Sequence, residues 1–306
     1  MSTKCAPRHP FPWDFVMLTY LFSWSVWIAS WFATGKPDAT ATSSSMMVAI
    51  FVGSFGPGWA AIMLTARHGG IGSVKTWLGA FIRFRCGWKA YAAGLLPFPL
   101  VVLLLTALFG YTPISEGAGG RAAPLFYLTI FPFAVINGVV TTFFGAGPIG
   151  EEGGWRGYLL PRLLERHSEL GSSLIIGVIW ALWHLPVMVM FADWRDGIDF
   201  WTYLPIYLAV VTALSYLMTK VWLIGKGSLV PVIWLHGIFN AVGPMAFNHK
   251  LWSSNWSQEF AGLLFAFAAI LSVGLLYIAR WTRPNAENSL RRLKTGQARG
   301  KDVHSE

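Results

Sequence analysis

Charge is scarce in this chain of 306 residues: Asp, Glu, Lys and Arg make up 12% of it, roughly half the share of a soluble globular domain. That excludes a soluble enzyme. Cysteine is nearly missing, and Cys5 and Cys86 are too few and too far apart for a disulfide framework or a thiolate metal site. Both read as ordinary thiols, without redox chemistry. The chain also lacks a G-x-S-x-G elbow, an H-E-x-x-H helix and a Walker loop, so serine hydrolase, zincin and P-loop ATPase readings have no support. Basic residues outnumber acidic ones by 23 to 14, but no compact basic domain or aromatic nucleic-acid module accompanies the excess, and no nucleic-acid partner is expected.

What the chain has instead is apolar length. Hydrophobic residues make up 55% and aromatics 16%, and the mean hydropathy is +0.52. Charge-free runs approach or exceed the roughly 20 residues that cross a bilayer as a helix. They predict an all-α, polytopic membrane protein with eight spans near 15–34, 46–66, 90–109, about 125–164, 171–191, 201–219, 228–247 and 260–279. Residues 1–14 read as an N-terminal tail, 15–281 as one transmembrane domain and 282–306 as a basic, disordered tail. The first span lacks a small-x-small cleavage site and reads as a retained helix.

If the N-terminus is cytoplasmic, 19 of the 23 Lys and Arg fall on the cytoplasmic side, leaving Lys36, Arg121, Arg195 and Lys250 opposite. The positive-inside rule then places both termini in the cytoplasm of a multi-pass cell-membrane protein. Gly56-Pro57-Gly58 in the second span and Gly145-Ala146-Gly147-Pro148 in the fourth read as helix interruptions.

Ionisable groups inside spans are costly and therefore functional candidates. They fall into three clusters: Glu151-Glu152-Gly153-Gly154-Trp155-Arg156 in the fourth span, Trp180-Ala181-Leu182-Trp183-His184 in the fifth and His236-Gly237-Ile238-Phe239-Asn240 in the seventh. Residues four apart share a helix face, so Glu152 pairs with Arg156 while Glu151, about 100° away, points elsewhere and stays available for chemistry. His236 and Asn240 share a face in the same way. Counted at a rise of about 1.5 Å per residue from the interfacial Arg166 and Lys226, the clusters reach similar depth near mid-bilayer. Trp155, Trp180 and Trp183 read as packing, and the loop holding Asp193, Asp196 and Asp199 as an acidic translocated loop.

Two hydrolytic schemes fit. In one, Glu151, His184 and His236 hold Zn²⁺, which acidifies a water. In the other, preferred here, no metal is used: Glu151 activates a water hydrogen-bonded to His184, and His236 with Asn240 donates to the oxyanion. The competing reading is a proton-coupled transporter or a non-catalytic membrane immunity protein.

Glu151-Glu152-x-x-x-Arg156, an aromatic-x-x-x-His184 and His236-x-x-x-Asn240 resemble, in order and spacing, the three motifs of the CPBP family, the intramembrane CAAX proteases and bacteriocin-processing or self-immunity proteins also called Abi. The flanks agree over 151–163 (EEGGWRGYLLPRL) and at Pro186. Trp180 stands where the second motif usually has Phe. The resemblance implies an eight-helix membrane endopeptidase with the site between helices 4, 5 and 7. Within it Glu151 and His184 would act on water, Glu152 and Arg156 would support the site, and His236 and Asn240 would stabilise the oxyanion. The expected partners are the lipid bilayer and a membrane-associated peptide or protein substrate.

Overall fold

The computed structural model describes residues 11–35, 44–100, 147–191 and 198–247, together with 132, 136, 138–140, 142 and 195. Among them every regular element is helical. In chain order these are α1 (Trp13–Ala33), α2 (Ser44–Gly53), α3 (Gly56–Gly79), α4 (Trp88–Leu95), α5 (Pro148–Gly154), α6 (Leu160–Leu163), α7 (Glu169–Trp183), α8 (Leu185–Met190), α9 (Phe200–Ile224) and α10 (Val230–Phe247). A π turn, Trp155–Leu159, joins α5 to α6.

Four stretches are long and apolar enough to cross a membrane: Trp13–Ala33, Ser45–Ile82, Glu169–Met190 and Phe200–Ile224. They correspond to the expected first, second, fifth and sixth spans, and α10 occupies the place of the seventh. The expected third and fourth spans lie partly outside the described residues. The eighth span and the C-terminal tail lie wholly outside, as do Gly145 and Ala146.

The helices are apolar outward, as lipid requires. On α1, Trp13, Met17, Leu21, Ile28 and Phe32 form an exposed stripe, while Ser23 on the inner face donates to the Gly53 carbonyl at 2.7 Å. Between helices the driving force is close packing and hydrogen bonding rather than the hydrophobic effect. A β-carbon on Gly177 would stand 2.6 Å from the Thr212 backbone, so α7 and α9 approach closely. Below that contact Ser173 donates to Thr219 at 2.9 Å, and Lys220 pairs with Glu169.

The second span departs from expectation. It ends once at Gly53, restarts at Gly56 and continues past Ala66 to Gly79, bending at Gly70 (φ 66°). Arg67, His68 and Lys75 made this part look like a loop. It remains helical because Trp77 and Phe81 pack on the first motif, the Trp77 indole donating to the Gly153 carbonyl at 3.1 Å. Asp199, expected only as loop charge, caps α9 by accepting from the backbone N–H groups of Trp201 and Thr202.

Candidate active site

The fourth span is broken where its Gly-Pro pair predicted. Gly147 takes φ 113°, a conformation that favours glycine, and Pro148 opens α5 with the ring-fixed φ of a helix start. The first motif therefore begins a new helix in the interior instead of continuing a single long one. Backbone closeness fixes its position: a β-carbon on Gly58 would lie 2.9 Å from the Gly150 carbonyl, and one on Gly154 would lie 2.4 Å from Pro57. The Gly56-Pro57-Gly58 interruption is the surface onto which α5 packs. A π turn follows directly, a local widening often found beside functional residues.

The two carboxylates face different surroundings. Glu152 is fully buried, accepts from Nη1 of Arg156 through both oxygens at 3.0 Å, and also accepts from Nδ1 of His236 at 2.9 Å. A carboxylate accepting from a ring N–H fixes the imidazole's tautomer and orientation. The expected Glu152–Arg156 pair is present, and it extends to His236 as a connection the spacing did not reveal.

Glu151 points elsewhere, as its 100° offset required. Its Oε2 accepts from the Trp180 indole at 2.6 Å. Its Oε1 lies on the Gly147 side, 2.4 Å from where a β-carbon of that residue would be, and the same point is 3.9 Å from Nδ2 of Asn240. Glu151, Gly147 and Asn240 thus converge. Asn240 is exposed whereas Glu151 is buried, so the carboxylate sits behind an accessible amide.

His184 is placed by the way α7 ends. Pro186 has no N–H to continue the helix, and the last turn tightens so that His184 N–H bonds to the Ala181 carbonyl. The Trp180 carbonyl is thereby released and accepts from His184 Nδ1 at 2.9 Å. A carbonyl only accepts, so Nδ1 carries the hydrogen and Nε2 is the proton-accepting nitrogen. From α1, Trp24 donates to the Trp183 carbonyl at 2.9 Å and Tyr20 to the Ile179 carbonyl at 2.5 Å, clamping this end.

Two further residues enter the site. Trp180, expected as packing, bonds Glu151 directly. Tyr207 on α9, a span that carried no motif, sets its ring edge-on to His184 at 5.5 Å between centroids. Only the antiparallel pairing of α7 with α9 brings Tyr207 there.

Among the described residues no three His, Cys, Asp or Glu side chains converge as a metal-ligand set. His184 and His236 each turn Nδ1 to a protein acceptor. The conditional Zn²⁺ ligands Glu151, His184 and His236 do not form such a set among the described residues. On the far side of Arg156, a cavity of about 950 Å³ opens among Asp14, His68, Arg83, Arg162 and Arg166.

Residues 131–242, which hold all three motifs, match the family described as Type II CAAX prenyl endopeptidase Rce1-like. A curated relative, "CAAX prenyl protease 2" of Methanococcus maripaludis, is 27% identical over 89 residues, covering 28% of this chain and 32% of that protein. The chain thus spans about a third of the length of the relative it matches.

Proposed function

We propose that this chain, which belongs to the CPBP family through its central segment, is an intramembrane endopeptidase that hydrolyses a peptide bond of a membrane-associated protein or peptide with water activated by Glu151. The observation that carries this reading is the division of labour between adjacent carboxylates: Glu152 is neutralised by Arg156 and tied to His236, while Glu151 keeps Oε1 on the side of Gly147 and Asn240.

In the reaction Glu151 takes a proton from water, and the hydroxide oxygen bonds to the scissile carbonyl carbon. His184, with Nδ1–H committed to the Trp180 carbonyl, accepts from the water through Nε2 and orients it. Asn240 Nδ2 donates to the oxyanion, and so does Nε2–H of His236 in its imidazolium form, the ring being held through Nδ1–H by Glu152. As the C–N bond breaks, Glu151 returns the proton to the leaving amine. The products are a carboxylic acid and an amine, which leave as carboxylate and ammonium once the acid's proton passes to the amine, and the protein regains its starting protonation.

The same reading places the protein in the cell membrane with both termini cytoplasmic. It is tested by reconstituting the full chain in liposomes with a library of membrane-spanning and lipidated peptides, alongside Glu151→Gln. Wild type cleaves, and the variant loses at least about 10²-fold in rate while keeping its melting temperature. Wild-type rates from Glu151→Gln would overturn the assignment. Elemental analysis of the same samples separates the schemes: stoichiometric zinc released by His184→Ala or His236→Ala would move the mechanism to the metal.

A further inference from the structure

Trp180 touches Glu151, Arg156, His184 and His236 at once. Its indole N–H donates to Oε2 of Glu151 at 2.6 Å. Its ring stands edge-on to His236 at 5.2 Å, with Cζ of Arg156 over it at 4.9 Å. Its backbone carbonyl takes Nδ1 of His184 at 2.9 Å. The side chain is 2% exposed, so the arrangement is held by packing on all sides.

The geometry points to Trp180 as a positioning residue: by holding Oε2 of Glu151 it selects Oε1, the oxygen beside Gly147 and Asn240, as the one that meets water. This inference rests on the proposed hydrolytic role of Glu151. The physical argument starts from the softness of a carboxylate. Its terminal torsion is broad and nearly two-fold, so nothing in the glutamate itself decides which oxygen faces a reactant. Glu152 solves the problem with a cation, whereas among the described residues Glu151 is in no ion pair. A buried carboxylate needs a hydrogen bond to persist, and the 2.6 Å bond to Oε2 comes from a rigid donor with two torsions, wedged between His236 and Arg156. An indole donates and never accepts, so the contact orients the carboxylate without offering it a second proton acceptor. The π turn at Trp155–Leu159 begins four residues after Glu151 and contains Arg156, so the ring has polar groups from both sides of the break against it.

Two measurements test this, and they fail separately. In protein labelled with ¹⁵N at tryptophan indoles, the Trp180 resonance is assigned by its loss in Trp180→Phe. Glu151→Gln, which replaces an anionic acceptor by a neutral one, moves that resonance upfield and leaves the other indoles in place. An unmoved resonance overturns the contact, whether or not the protein cleaves anything. On a peptide that wild type cleaves, Trp180→Phe keeps the ring but removes the donor, and lowers kcat by about 10- to 100-fold, as loss of a hydrogen bond to a charged group implies. KM stays unchanged. An unchanged kcat, or a raised KM with kcat intact, overturns the positioning role. Absence of cleavage by wild type overturns the proposed function and leaves the indole measurement to decide the contact.

Discussion

Glu151 and Glu152 are consecutive, yet one is bound to a cation and the other to an indole, because a helix turns about 100° between them. That much was legible, since Arg156 stands four residues after Glu152. The tie from Glu152 to His236 was not legible, because it joins positions 84 apart and exists only once α5 and α10 pack together. Trp180 was visible as an aromatic at the right spacing but read as an inert exchange for Phe. The difference lies in one N–H, whose partner no spacing rule supplies. The buried Arg156–Glu152–His236 chain makes a stability prediction. Arg156→Ala strands a fully buried carboxylate, and breaking such a pair costs about 3–5 kcal/mol. A fall in melting temperature and folded yield should follow, with Glu152→Gln showing a smaller one. A thermal-shift assay in which Arg156→Ala melts like wild type would show that the pair contributes nothing to the fold.

At the scale of elements, the site depends on two helix ends made by sequence-visible breakers. Gly147-Pro148 opens α5 in the interior, as the Gly/Pro cluster predicted. Pro186 ends α7 so that His184 meets a carbonyl. The continuation of α3 to Gly79 was illegible because charges at Arg67, His68 and Lys75 mimic a loop, and what keeps it helical is the packing of Trp77 and Phe81 against Gly153 of α5, distant in sequence. Gly147→Ala tests the first break. Its β-carbon would need φ 113° and would stand 2.4 Å from Oε1 of Glu151, so the carboxylate must rotate away from Asn240. Activity should fall about 10²-fold, the scale expected for displacing a general base, while the protein still accumulates in the membrane. Wild-type activity in Gly147→Ala would show that Oε1 does not work from this position. Pro186→Ala tests the second break. It restores an N–H to the Leu182 carbonyl, lets α7 continue and returns His184 N–H toward the Trp180 carbonyl, in competition with Nδ1. Here kcat should fall with little change in melting temperature, and an unaltered kcat would separate the helix end from the placement of His184.

At the scale of the molecule, the question is which side reaches the site. α7 carries His184 about 22 Å along its axis from Glu169, and α10 carries Asn240 about 15 Å from Val230. Both starts lie at the end rich in Arg162, Arg166, Lys220 and Lys226, so both residues stand well inside the bundle from that basic end. Gly153 and Gly237 lie close to the site but cannot take a cysteine, since their β-carbons would collide with Phe81 at 2.7 Å and Thr142 at 2.2 Å. Exposed positions serve better. In a chain lacking Cys5 and Cys86, Arg166→Cys marks the basic end, Trp201→Cys the opposite end and Asn240→Cys the site. With a membrane-impermeant thiol reagent, Arg166→Cys should react only from the cytoplasmic face and Trp201→Cys only from the other. The exposed Asn240 stands in front of the buried Glu151, and Asn240→Cys should react from the cytoplasmic face more slowly than Arg166→Cys, since the reagent must travel into the bundle. Labelling of Arg166→Cys from the outside alone would invert the topology. Labelling of Asn240→Cys from the outside, with Arg166→Cys still cytoplasmic, would keep the topology and move the substrate entrance to the opposite leaflet.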